Sequence, residues 1–154
     1  MPSWKVIATV VVFTVLGFLL SPQAPLGAAI WGAPPAGGED PTGAQIGLLM
    51  FVALVESIAF GLGVAFLVFA FPALVRALDP GAPARIAHLA IAWGLVSWVP
   101  HSALHQTNGD NMARLIVIEY AFHVTLIVAA AALAWVLLRA RDAKRVSPGA
   151  KSPA

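Results

Sequence analysis

The run from Ile46 to Phe71 contains a single ionisable side chain, Glu56, and no proline. A stretch this long and this apolar is the length a bilayer asks for, since about 20 apolar residues in a helix cross the hydrocarbon region. In lipid every backbone N–H and C=O must be satisfied within the segment, which for an isolated run means an α-helix. Three more apolar runs accompany it: Val6–Leu20, Ile86–His105 and Leu115–Leu138. Composition agrees. The 154 residues are 60% hydrophobic and 10% charged, with a mean hydropathy of +0.87, whereas soluble domains carry roughly 25% charged residues. The expected fold is therefore all-α: an integral membrane, antiparallel four-helix bundle with the lipid bilayer as its main partner.

Punctuation residues set the boundaries. The spans are expected at about 4–22, 46–71, 86–105 and 114–138, forming one transmembrane domain over 1–138. The segment 21–45 holds Pro22, Pro25, Pro34, Pro35 and Pro41 with Glu39 and Asp40, a composition that opposes regular structure and reads as an outer loop. Pro80, Gly81 and Pro83 mark the second turn and Asn108-Gly109-Asp110 the third. Residues 139–154 read as a basic, disordered tail. The first apolar run has a competing reading, the apolar part of a signal peptide over 1–29 with Gly27 and Ala29 as the small residues before a cut. A retained helix is preferred because Trp4 and Ser21–Leu26 extend it to the interfaces. Cleavage would leave three spans.

Lys and Arg in short loops mark the cytoplasmic side. Four spans put Lys5, Arg76, Arg85, Arg139, Arg141, Lys144, Arg145 and Lys151 on one side, and only Arg114, with Glu39, Asp40 and Asp110, on the other. The sequence thus places both termini in the cytoplasm, across a plasma (inner) membrane. The net charge of +2 gives no footprint for nucleic acid, and the absence of cysteine excludes thiolate ligands and disulfides.

The chemistry gathers in one hairpin. His101 and His105 are four apart, as are Glu119 and His123, so each pair shares a helix face. A short connection makes the two helices antiparallel neighbours. Counting inward at about 1.5 Å per residue, His101 and Glu119 are expected at similar depth. His123 lies a turn deeper and Glu56 of the second span roughly level with it. An ionisable group inside a bilayer costs on the order of 2.5–3.5 kcal/mol unless paired or solvated, so these five side chains are expected to converge. Neutral imidazoles and carboxylates without sulfur suit a transition metal, copper or zinc ahead of iron. The expected ligands are His101, His105 and His123, with Glu119 as ligand or orienting group and Glu56 as a more distant partner. Haem b between His101 and His123 ranks behind these.

Two other classes remain open. The pairs Glu56–His123 and His101–Glu119 would simply glue helices in a structural or assembly subunit. Alternatively, the ladder would carry protons in a proton-coupled carrier. No phosphate-binding glycine loop and no Ser/His/Asp set appears. The leading expectation is a small metalloprotein acting in redox, electron transfer or metal delivery, as an accessory subunit of a larger membrane complex or as a homo-oligomer.

Overall fold

A computed structural model describes residues 3–22, 24, 26–32, 42–78, 80–108 and 111–146. The expectations on Glu39, Asp40, Gly109, Asp110, Lys151 and the prolines at 25, 34, 35 and 41 lie outside the described residues. Every element among those described is helical: α1 (Ser3–Leu19), α2 (Gly27–Trp31), α3 (Gly43–Phe69), α4 (Phe71–Ala77), α5 (Ala82–Val96), α6 (Trp98–Asn108), α7 (Met112–Glu119), a π-helical turn (Tyr120–Val124) and α8 (Thr125–Val146).

Two helical runs are long and apolar enough to cross a membrane, α3 with 27 residues and the continuous Met112–Ala143 run with 32. The bent pair α5–α6 makes a third if it is counted as one span. Four spans were expected, and α1 is the one that falls short. Its 17 residues reach about 25 Å at 1.5 Å per residue, against a hydrocarbon core of roughly 30 Å.

Local chemistry explains the ends. Thr42 caps α3 through a reciprocal box: its hydroxyl accepts from the Gln45 N–H (3.4 Å), and the Gln45 carbonyl oxygen accepts from the Thr42 N–H (2.8 Å). Pro72 lacks the N–H that would bond the Val68 carbonyl, and α3 gives way to α4 at Ala70. Past Leu138, where the sequence suggested a disordered tail, helix continues to Val146. Ala140, Arg141, Ala143 and Lys144 are all strong helix formers, so nothing in that stretch stops it.

α1 packs on α3, α3 on α5 and α6, and α5 on α8. Among the described residues α1 and α8 share no substantial contact, so the helices lie in a row and the ring of a closed bundle is not formed. The interfaces are built from small residues: Ala53, Ser57, Gly61, Gly63 and Ala65 of α3 and Ala84, Ala87 and Ala92 of α5 are buried. Large apolar side chains such as Leu48, Phe51, Leu89 and Ile127 point outward. Helices in lipid associate this way, because lipid is as apolar as leucine and close backbone approach supplies the attraction. Gly61 and Gly63 serve different neighbours. A Cβ on Gly61 would lie 2.5 Å from the Val10 carbonyl of α1, and one on Gly63 would lie 2.7 Å from Val96 Cγ1 of α5.

His88 is no part of the polar hairpin. Its Nε2 lies 3.2 Å from the Phe66 carbonyl, and its ring sits between Phe66 and Phe71. It fastens α5 to the end of α3.

Candidate metal centre

The polar hairpin is shaped by two departures from regular α-helix. The first is the break between α5 and α6. Pro100 has no N–H for the Val96 carbonyl, and its ring crowds that carbonyl. Val96 is the last residue of α5, and the chain bends by 41° before α6 begins at Trp98. The second is the π turn Tyr120–Val124, which carries His123. Such single π turns accommodate an extra residue and recur at functional sites. Thr125 holds this one. Its hydroxyl donates to the Ala121 carbonyl (2.5 Å) and accepts from Trp93 Nε1 of α5 (3.0 Å).

These distortions bring three imidazoles together. His101 lies with its ring centroid 4.6 Å from His105 and 4.7 Å from His123. One ring nitrogen from each of the three falls within 4.8 Å of the other two. His101 is the buried base of the group, 8% exposed. Trp98 meets it edge-on at 6.0 Å and Phe122 lies against it at 5.0 Å. Its Nε2 is buried without a hydrogen-bond partner. Buried polar atoms are nearly always satisfied, so each exception calls for a cause. His105 and His123 form the open side, their side chains 32% and 46% exposed.

Glu119 joins the two open rings. One carboxylate oxygen lies 3.3 Å from His105 Nε2, and the other pairs with His123 Nδ1. A neutral imidazole has one N–H and one lone pair. Where the ring nitrogen facing the carboxylate carries the proton, the opposite nitrogen of that ring keeps the lone pair. This is the arrangement by which carboxylates orient ligand histidines in metal sites.

Depth counting from the sequence expected Glu119 beside His101 and His123 a turn deeper. The structure instead sets His101 against His123 and gives Glu119 to His105 and His123. The bend and the π turn shift the register that a straight-helix count assumes. Glu56 is also separate. Its carboxyl accepts from the Ser102 hydroxyl, which itself accepts from Gln106 Nε2 (3.2 Å). Among the described residues no hydrogen bond or close ion pair joins Glu56 to His123 or His101 to Glu119, the helix-gluing pairs read from the sequence. α6 therefore has two polar faces: His101 and His105 turn to the π turn, and Ser102, bonded by Gln106, turns to Glu56 of α3. The second face went unread, although Ser102 and Gln106 repeat the same four-residue spacing one position on.

Comparison with protein-family models, with curated proteins and with solved structures found no match for this chain.

Proposed function

We propose that the chain is a small membrane metalloprotein whose ion is held by His101, His105 and His123 and whose carboxylate Glu119 orients two of the three rings. The observation that carries this reading is the orphaned Nε2 of buried His101 beside two further imidazoles. Bonds of about 2.0–2.1 Å in tetrahedral directions put ligand nitrogens about 3.4 Å apart. Nitrogens now within 4.8 Å of one another reach that by closing about 1.4 Å at most, a side-chain adjustment. Three neutral nitrogens with an open fourth position suit zinc or copper, and the low carboxylate count disfavours iron. Haem ranks lower. Axial rings stand roughly 6 Å apart, two bonds of about 2 Å plus two half-rings, and 4.7 Å between His101 and His123 leaves the porphyrin no room.

In this reading the α5–α6 pair and α1 complete four membrane segments in the plasma (inner) membrane, with both termini cytoplasmic and the histidines near the outer surface. His105 lies three residues from the end of α6, about one helical turn. The half-exposed rings allow an ion to enter and leave. An accessory subunit that passes electrons or delivers metal to a larger membrane complex or a second copy fits this openness better than a sealed catalytic pocket.

A second reading is favoured by Glu119 alone. Its contacts with His105 and His123 stitch α6 to the π turn without any ion, as in a structural or assembly subunit. Metal analysis of the detergent-purified chain separates the two. The metalloprotein reading expects about one copper or zinc per chain after mild chelator washing, and none in the His101→Ala, His123→Ala variant. Metal-free wild type in copper- and zinc-replete cells, with a lowered melting temperature in Glu119→Gln, would establish the structural reading instead.

A further inference from the structure

At the far end of the molecule from the histidines, a cavity of about 450 Å³ opens between the α4–α5 turn and α8. Leu78 and Pro83 line it from the turn and Val136, Arg139, Ala140, Asp142 and Ala143 from α8. Its lining divides by chemistry. Leu78, Pro83, Val136 and the two alanines make an apolar wall, and Arg139 stands at the rim. The Arg139 guanidinium lies over the Trp135 ring, 4.5 Å from its centroid. Tryptophan at a span end holds the headgroup level of a bilayer, so this contact parks the cation where lipid phosphates lie. Asp142 shares the rim, but among the described residues no ion pair joins it to Arg139. The arginine's charge and its fork of N–H donors stay available. Arg85, two residues beyond Pro83, and Arg141 are exposed nearby in sequence, while Asp142 is the one acidic residue among the described residues lining the cavity.

We propose that this cavity is a binding site for an anionic phospholipid headgroup. Arg139 takes the phosphate as a planar, multi-donor partner. The apolar wall receives the glycerol and the upper acyl chains. Cation-rimmed pockets between membrane helices hold anionic headgroups in this manner. A general basic surface would attract anionic lipid too, but without a preferred residue, and that difference makes the proposal testable. The inference stands apart from the metal reading, because no residue of the histidine group lines the cavity.

The test uses the full chain in nanodiscs of equal phosphatidylglycerol and phosphatidylcholine, with retained lipid read by native mass spectrometry after detergent release. Wild type is expected to keep phosphatidylglycerol at least five-fold over phosphatidylcholine. Arg139→Gln removes that preference. Ala143→Trp, which fills the cavity and leaves every charge in place, also removes it. Lys5→Gln deletes a cation outside the cavity and keeps it. Equal retention of the two lipids by wild type would overturn the proposal. So would equal losses in Lys5→Gln and Arg139→Gln, the signature of diffuse surface charge. Unchanged retention in Ala143→Trp would overturn it as well. Metal content measured on the same samples is expected to be unaffected by all three substitutions.

Discussion

Replacing Glu119 by glutamine tests the candidate centre through a residue that need not touch the ion. One carboxylate oxygen pairs with His123 Nδ1 and the other lies 3.3 Å from His105 Nε2. Glutamine keeps one oxygen and puts an NH2 where the other stood, so one imidazole N–H then faces a donor. That ring must turn or change tautomer, and its remaining nitrogen no longer presents a lone pair to the ion. Loss of such an orienting carboxylate costs typically 10–100-fold in metal affinity, or about 1.4–2.7 kcal/mol at 1.36 kcal/mol per tenfold. The direct stability effect is smaller. The Glu119 side chain is 45% exposed, and exposed pairs contribute roughly 0.2–1 kcal/mol. A titration of apo protein in detergent against a chromophoric copper or zinc chelator reads the affinity, and a thermal melt of the apo protein reads the stability. The expected pattern is a large loss of affinity with a melting temperature within a few degrees of wild type. A Glu119→Gln affinity within two-fold of wild type would refute the argument that this carboxylate sets the tautomers of a metal site. An apo melting temperature that falls steeply, with no metal bound by either form, would shift the weight to helix stitching.

Other substitutions probe how the fold aims the site. Pro100→Ala restores a donor opposite the Val96 carbonyl and straightens the 41° bend. His101 then swings away from His123, and metal affinity is expected to fall at least ten-fold; unchanged affinity would show that the bend does not place His101. Gly61→Ala puts a methyl 2.5 Å from the Val10 carbonyl, and overpacking of this kind costs typically 1–3 kcal/mol. Gly47→Ala meets nothing within 4 Å and is expected to gain up to about 1 kcal/mol from helix propensity. Melting curves of the two variants in one detergent check both signs, and equal shifts would mean that α1 does not seat on α3 as described.

The helical class was legible in the residues, as was the sharing of a helix face by the polar pairs. Apolar runs force helices, and helices of this composition belong in lipid. The spacing of His101 with His105 and of Glu119 with His123 puts each pair on one face wherever the chain is helical. The absence of cysteine excludes thiolate donors. All of these are local properties, set within a turn or two of chain.

Placement belonged to the tertiary structure. Pro100 announces a break in the sequence, but not its angle, and nothing in Tyr120–Val124 announces a π turn until Thr125 is tied to Trp93 of α5. Those two distortions decide that His101 meets His123, that Glu119 serves His105 and His123, and that Glu56 is left to Ser102. Whether four helices close into a ring or lie in a row is likewise decided by which small residues meet, Gly61 against α1 and Gly63 against α5. The physical reason is the same in each case. A periodic pattern specifies which face a side chain occupies, whereas depth and neighbours depend on bends and contacts between segments far apart in the chain.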